Sequence, residues 1–456
     1  MRFLHKGAAD MTEGSIGKQL LEFSIPMMIG LLFQQLYNTV DAIVVGRFVG
    51  KEALAAVGST SSIINMLVGL CAGLSTGASV AISQNYGAHD NKALRSAVQT
   101  TMALTLVLCA VATAAGILIV KPMLRLMATP DDVFAAAEEY LTIYFAGVSG
   151  LLLYNMGSGI LRAVGDSQRP LYFLCFSAIV NIVFDLLFVV KFHLGIAGVA
   201  YATILSQFLS SVLVLYSLSR GDVPYGIRWR ALRFESEPLR RVLSIGMPSG
   251  VQQAITSFSN VFVQSYINVF GSACMAGWSG YNKLDVFILI PVQSIALAST
   301  TFVGQCCGAG KYRRARDGAK TALLLSLCVT AVFSVLLILL DRPLLLLFTT
   351  DEEVVRFGER FITLISPFYV TICFNQIFAG AIRGSGDGRT PMICMLASFV
   401  VFRQIYLYVS RLLGGGFLAV ALGYPLGWVV CSVCMGICYS RSKLCTSDDL
   451  LLLKEK

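Results

Sequence analysis

Four polar side chains stand out because they lie inside otherwise apolar stretches of the chain: Asp41, Asn181, Asp185 and Thr203. A charged group at depth in a bilayer costs roughly 2.5–3.5 kcal/mol on insertion scales, so one that is retained there marks a functional site. Asp41 lies about five residues from the outer end of its apolar run and Asp185 about five from its own; at 1.5 Å per residue both sit ~8 Å deep. Asn181 precedes Asp185 by four residues and so shares its helix face. Thr203, entering on the next run, reaches a depth close to that of Asn181. Two carboxylates in a low-dielectric pocket repel one another, and a cation between them relieves the repulsion. Carboxylate, amide and hydroxyl oxygens are also hard donors suited to Na+. The expected chemistry is reversible binding of H+ or Na+, with occupancy biasing a conformational equilibrium. That ion is the only cofactor expected.

A second group lies later in the chain. Lys283 and Asp285 share one apolar run and Arg403 lies in another, at depths that let Asp285 and Arg403 form an ion pair. Structural pairing and a role in secondary coupling or substrate binding both remain open for these three. Gln34, Tyr37, Asn38 and Tyr154 are further candidates for contact with a substrate.

Catalytic constellations are not found. The three histidines, His5, His89 and His193, all fall outside the apolar runs. No H-E-x-x-H, G-x-S-x-G or G-x-x-x-x-G-K-[ST] pattern occurs, which argues against a metalloprotease, a serine hydrolase and an ATP-driven pump. The 13 cysteines are scattered within apolar stretches and read as small buried hydrophobes. Cys431 and Cys434 form a C-x-x-C without further ligands, which argues against zinc. Cys306 and Cys307 are expected in a loop. The sequence therefore reads as a non-enzyme.

The elements that must carry these residues follow from the hydrophobic pattern. Only 13 % of the 456 residues are charged and 56 % are hydrophobic, with a mean hydropathy of +0.73. Soluble domains carry roughly 25 % charged residues, so a cytosolic enzyme, a secreted disulfide scaffold and a nucleic-acid module are excluded. Runs of ~20 or more apolar residues, the length a bilayer core demands, recur at 19–45, 54–82, 95–119, 134–157, 170–190, 194–218, 240–266, 275–303, 318–340, 354–380, 391–410 and 414–440. Barrel strands need only ~10 alternating residues, so these twelve are helices, in an all-α polytopic membrane protein. The organisation expected is a cytoplasmic N-terminus (1–18), a six-helix lobe (19–218), a cytoplasmic linker (219–239), a second six-helix lobe (240–440) and a cytoplasmic tail (441–456). If both termini are cytoplasmic, the inner segments hold about three times as many Lys and Arg as the outer ones, the bias of an inner (plasma) membrane protein. The net charge of +9 is then loop asymmetry rather than a nucleic-acid footprint.

The chain also repeats itself. A shift of 221 residues lays LRAVGDSQRP (161–170) over IRGSGDGRTP (382–391), matching Arg162/Arg383, Gly165/Gly386, Asp166/Asp387 and Pro170/Pro391. It also lays SQNYGAHDNKALR (83–95) over GQCCGAGKYRRAR (304–316), and with one residue of slack Pro26 falls over Pro248. Both halves have six spans and start on the same side, so the two bundles are related by an axis along the membrane normal, a build in which substrate binds between rocking halves.

Twelve spans in two halves, the paired R-x-x-G-D-x-x-x-P and Q-x-x-G-A loops, and the stretch SIPMMIGLLFQQLYNTVDAIVVGRFVGKEALAAVG (24–58) resemble the multidrug and toxic compound extrusion (MATE) family from about residue 15 to 440. The resemblance implies a secondary antiporter that exports amphipathic organic cations or drugs in exchange for H+ or Na+ by alternating access. One subgroup uses an acidic cluster in the N-terminal lobe, which matches Asp41, Asn181, Asp185 and Thr203 here. Other subgroups place coupling acids in spans 7 and 10; span 10 of this chain offers Asn375 and Gln376 instead. A cavity for a bulky cation would draw on Phe33, Tyr37, Met66, Tyr154, Met156 and Phe287 through stacking and cation–π contact. The loop pairs Arg162–Asp166 and Arg383–Asp387 are expected to brace helix ends. Partners expected are a small-molecule substrate and membrane lipid, with a monomer sufficient. The alternative is a flippase of a lipid-linked metabolite, which would need an Arg- and Lys-rich cavity, for which only Lys283 and Arg403 are available.

Overall fold

The computed structural model describes residues 8–445 except Ala128, Gly221 and Asp222. Arg2, Lys6, Lys454 and Lys456, which contribute to the expected charge bias, lie outside the described residues, as does His5. The described chain is helical and divides into two compact units, 1–10 with 26–247 and 11–25 with 248–456.

Seven helices lie wholly or mainly in unit 1: α1 (Ile16–Val44), α2 (Lys51–Gly87), α3 (Asn91–Leu126), α4 (Asp131–Ala146), α5 (Val148–Ala163), α6 (Gln168–Asp185) and α7 (Gly195–Ser219). Unit 2 carries most of α8 (Ser236–Asn268), then α9 (Ser272–Gly308), α10 (Tyr312–Leu339), α11 (Asp341–Leu346), α12 (Glu352–Ile365) and α13 (Tyr369–Gly384). It ends with α14 (Arg389–Leu396), α15 (Arg403–Leu412), α16 (Phe417–Ala421) and α17 (Gly423–Ser440). Membership changes at Pro26 within α1 and at Pro248 within α8, the prolines that the internal repeat superimposes.

The repeat reappears in the backbone. Left-handed φ values occur at Gly50 and Gly271, His89 and Gly310, Gly165 and Gly386, and His193 and Gly414, each pair 221 residues apart. The chain makes the same turn at the same place twice, in two cases with a histidine where the other half has glycine. Helix starts are fixed locally: the Asp90 carboxylate accepts from the backbone N–H groups of Lys92 and Ala93, and Asp351 does the same for Glu353 and Val354. Side-chain acceptors at this position satisfy donors that the first turn of a helix leaves open.

Ten described helices, counting continuous pairs once, are long and apolar enough to cross a membrane. α4 and α5 together make an eleventh, bent by 47°. The bend falls at Gly147, where a Cβ would come within 2.4 Å of Ile204 Cβ, so the break lets α7 approach. The single run expected over 134–157 is therefore two helices. α8 is long enough to cross at 33 residues but more polar, and with it the fold is consistent with twelve spans. The run expected over 354–380 is continuous except for a 3-10 turn at Ser366–Phe368, beside Pro367. π-helical turns end two spans, at Val45–Val49 and Leu186–Lys191, and interrupt a third at Ala397–Phe402. Such turns leave a carbonyl unpaired and favour functional positions. Cys306 and Cys307 close α9 rather than occupying a loop, because α9 runs on to Gly308.

Candidate functional site

In unit 1, α1 ends and α6 ends beside each other, each running into a π-helical turn. Val44, Val45, Val189, Ile196 and Val199 form one buried cluster that fixes these ends against the start of α7. On this frame the carboxyl groups of Asp41 and Asp185 face one another. Asp185 is fully buried, and neither of its oxygens receives a protein donor. Asp41 Oδ1 is likewise buried without one. As two carboxylates the pair consists of acceptors only, so a bond forms between them only when one carries a proton.

Asn181 is buried one turn before Asp185, and its amide oxygen and nitrogen both lack a protein partner. Thr203 is brought level with it by helix packing. The Ser177 hydroxyl donates to the carbonyl oxygen of Ser206 across α6 and α7 at 2.9 Å. These helices run antiparallel, so one turn beyond Ser177 meets one turn before Ser206, which sets Asn181 against Thr203. The Thr203 hydroxyl donates to the Val199 carbonyl and keeps its oxygen lone pairs. The structure thus brings Asp41 against Asp185, with Asn181 one turn before Asp185 on α6 and Thr203 buried one turn before Ser206 on the neighbouring α7. Buried polar atoms are almost always partnered in native proteins, so this concentration of orphans requires an explanation. Carboxylate, amide and hydroxyl oxygens clustered without protein partners suit an exchangeable cation, H+ or Na+, and Asp41, Asn181, Asp185 and Thr203 would hold it. Among the described residues no group of three or more His, Cys, Asp or Glu is arranged to hold a metal.

The neighbouring side chains are aromatic. Tyr37 approaches Asp41, Gln34, Tyr144 and Tyr154, and Asn38 beside it is exposed. The Tyr154 hydroxyl is already engaged, donating to the Pro170 carbonyl at 3.1 Å. Tyr140 is buried in the hydrophobic cluster beside the site and lies within electrostatic range of both Asp41 and Asp185, a neighbour that sequence reasoning missed. Of the residues expected to line a cavity, Phe33, Met66 and Phe287 are exposed, whereas Met156 is buried in a packed cluster with Leu74, Ala78, Ala81 and Val242. Met156 is core.

Unit 2 corrects the expected ion pair. Asp285 accepts from the phenols of Tyr369 and Tyr281, the latter at 3.3 Å, and the two hydroxyls lie 3.0 Å apart. Arg403 instead donates from Nη2 to Ser259 Oγ at 3.0 Å and Asn260 Oδ1 at 2.8 Å, with its guanidinium 4.7 Å from the Tyr424 ring centre. Lys283 lies over Phe348 at 5.1 Å. Similar depth along two helices did not place the two charges at the same azimuth.

The loop motifs also divide differently from expectation. Asp166 caps α6, accepting from the backbone N–H groups of Gln168 and Arg169 at 3.1 Å and from the Arg169 side chain. Asp387 caps α14 through Arg389 and Thr390. Arg162 and Arg383 take no part in this bracing: Arg162 reaches Ser75 at 3.4 Å and Arg383 reaches Gln252 at 2.7 Å. A loop aspartate is nearest to the helix it starts, whereas each arginine lies back inside the preceding one.

Two repeated helical halves, about a dozen spans and an acid pair whose buried oxygens lack protein donors define a membrane transporter. The MatE family model matches twice, over residues 26–187 and 248–409, and the chain belongs to that family. It is 31 % identical over 438 residues to a probable multidrug resistance protein, YpnP of Bacillus subtilis strain 168, covering 96 % of this chain and 98 % of that one. It is 24 % identical to the probable multidrug resistance protein NorM of Thermotoga maritima, covering 88 % of each. Among solved structures, a MATE transporter in complex with MaL6 superposes with a TM-score of 0.89 at 26 % identity, covering 95 % of this chain and 98 % of that one. Members of the family are transporters, not enzymes.

Proposed function

We propose that the protein exports amphipathic, cationic organic compounds in exchange for H+ or Na+ by alternating access, coupled through Asp41, Asn181, Asp185 and Thr203. The observation that carries this reading is the facing pair Asp41 and Asp185, the former half-buried and the latter fully buried, with no protein donor to Asp41 Oδ1 or to either oxygen of Asp185. Such a pair changes its net charge with each cation it takes up, and a state-dependent affinity for that cation is what shifts a two-state equilibrium. The multidrug resistance names of its relatives support a drug or toxin as cargo. Tyr37, with Gln34 and Asn38 on the same helix, would meet the cargo next to the acid pair. The excess of Lys and Arg in alternate loops supports both termini lying in the cytoplasm, in the plasma membrane.

The test is ethidium movement in inside-out vesicles under separately imposed proton and sodium gradients. Wild type should respond to one or both gradients, and Asp41→Asn and Asp185→Asn should each lose the response. Transport that survives both substitutions would remove coupling from this pair. Absence of any gradient-driven movement in wild type would overturn cation-coupled export and return the flippase alternative.

A further inference from the structure

Under the 221-residue repeat, the site in unit 1 has a counterpart in unit 2 that carries no acid. Thr203 falls on Tyr424, Asp185 on Tyr406, and Asn181 on Phe402, immediately before Arg403; with one residue of slack, Asp41 falls on Val263. Arg403 and Tyr424 are the stacked pair, and Ser259 and Asn260, one turn before Val263, supply the oxygens that receive Arg403. The position that concentrates negative charge in one half therefore concentrates positive charge in the other.

Arg403 is 3 % exposed. A guanidinium presents five N–H donors. Nη2 uses its two on Ser259 and Asn260, while Nε is buried with no acceptor and Nη1 donates to no protein atom. No carboxylate pairs with it among the described residues: Asp285, which also approaches Tyr424, is engaged by Tyr281 and Tyr369. The surrounding polar groups do not neutralise the charge. The Ser259 hydroxyl already accepts from Gln404 and donates to the Phe399 carbonyl, a group of the π-helical turn that precedes Arg403. Asn260, which is exposed, turns its oxygen to Arg403 and leaves its amide N–H groups open beside the guanidinium. A buried charge without a partner is expensive. Guanidinium donors with an adjacent amide N–H are complementary to a planar oxyanion, and an aromatic face behind the guanidinium holds it in place.

We propose that unit 2 contains an oxyanion-binding site centred on Arg403 and Asn260, backed by Tyr424, that takes a carboxylate- or phosphate-bearing ligand. The site is the opposite-charge counterpart of the acid pair, and it stands whether or not that pair couples transport.

Trp278 and Trp428 report on it, with ring centres 5.3 Å and 6.1 Å from that of Tyr424. The full chain, carrying Trp229→Phe to remove the third indole, is placed in nanodiscs of zwitterionic phosphatidylcholine and titrated with benzoate at constant ionic strength. Indole fluorescence should change saturably. Arg403→Gln should weaken binding at least tenfold and Arg403→Lys by less, while Gly58→Ala, where an added Cβ meets nothing within 4 Å, should leave it unchanged. Asn260→Asp provides a variant that keeps the packing and places a carboxylate on the guanidinium; it too should weaken benzoate at least tenfold. Adding phosphatidylglycerol to the nanodiscs separates the sources of the anion. Arg403-dependent competition with benzoate assigns a lipid phosphate, and its absence assigns a solute carboxylate. The proposal fails if neither probe gives a saturable response in wild type. It fails equally if folded Arg403→Gln and Asn260→Asp bind benzoate within twofold of wild type, since a guanidinium that only braces α8 would give that result.

Discussion

The carboxyl groups of Asp41 and Asp185 face each other with no protein donor between them, although Asp185 is fully buried. A pair of this kind is a cost to the fold as long as it is charged. Asp185→Asn removes one charge and retains the shape, and its amide can donate to Asp41. An unsatisfied buried polar group costs about 1–3 kcal/mol, more when charged, so this variant should raise the thermal midpoint of the detergent-solubilised protein at pH 8. A midpoint equal to or below that of wild type would mean the pair is already neutralised inside the protein.

The phenols around Asp285 are unequal. Tyr369 makes the closer contact and Tyr281 donates at 3.3 Å. Hydrogen bonds to charged groups contribute about 1.5–3 kcal/mol, so Tyr369→Phe should destabilise by that order and Tyr281→Phe by less. In a double-mutant cycle, Tyr369→Phe should cost little once Asp285→Asn is present. Equal effects of Tyr369→Phe in both backgrounds would show that the contact contributes nothing.

Helix packing in unit 1 turns on one hydrogen atom. A Cβ on Gly77 would lie 2.4 Å from both the Gly246 nitrogen and the Val242 carbonyl oxygen, backbone atoms that cannot rotate away. Overpacking costs typically 1–3 kcal/mol, and rigid neighbours put Gly77→Ala at about 3 kcal/mol. Gly58, in the same helix, has nothing within 4 Å, so Gly58→Ala should be neutral or stabilise by up to ~1 kcal/mol through helix propensity. Denaturation midpoints of the two variants decide the matter, and a similar loss in both would sink the packing argument.

The connector after α7 is held to α3 by Glu235, which accepts from the Ser96 hydroxyl and from Arg233 Nε at 2.6 Å. The Ser96 hydrogen bond first, and then Arg233, hold its carboxyl below the usual glutamate range. A lowered folded-state value contributes stability that is present above the unfolded value of about 4.3 and is lost as pH falls through the folded one. Glu235→Gln should therefore lower Tm at pH 7, and the gap to wild type should close on acidification below about pH 4. A gap that stays constant down to pH 3 would exclude a carboxylate contribution.

Much of this fold is readable from the sequence because lipid imposes one pattern, long apolar runs, and because the repeat marks the same turns twice. The acid pair is readable for the same reason: a carboxylate in an apolar run has few alternatives to function. What depends on rotation about a helix axis is not readable. Asp285 and Arg403 match in depth and still find different partners. Arg162 lies four residues from Asp166, yet Arg169, three residues on and within the capped helix, takes the carboxylate. The break at Gly147 carries no proline, only a glycine whose significance depends on Ile204, more than fifty residues away. Tyr140 escapes notice because an aromatic residue in a span is ordinarily packing, and only the position of α4 brings it near the acids.

The polarity of α8 bears on how the chain is made. With Glu237, Arg240 and Arg241 near its start and Gln252, Gln253, Ser259 and Asn260 further along, lipid alone gives this helix a weak claim on the bilayer interior. Arg241 reaches back to Gln84, but two of the helix's deeper polar side chains find partners in residues synthesised much later: Arg383 for Gln252, 131 positions on, and Arg403 for Ser259, 144 positions on. Those partners of Gln252 and Ser259 are available only once translation has passed Arg383 and Arg403, so a nascent chain stopped short of that point carries a seventh helix with two of its polar contacts still unmade.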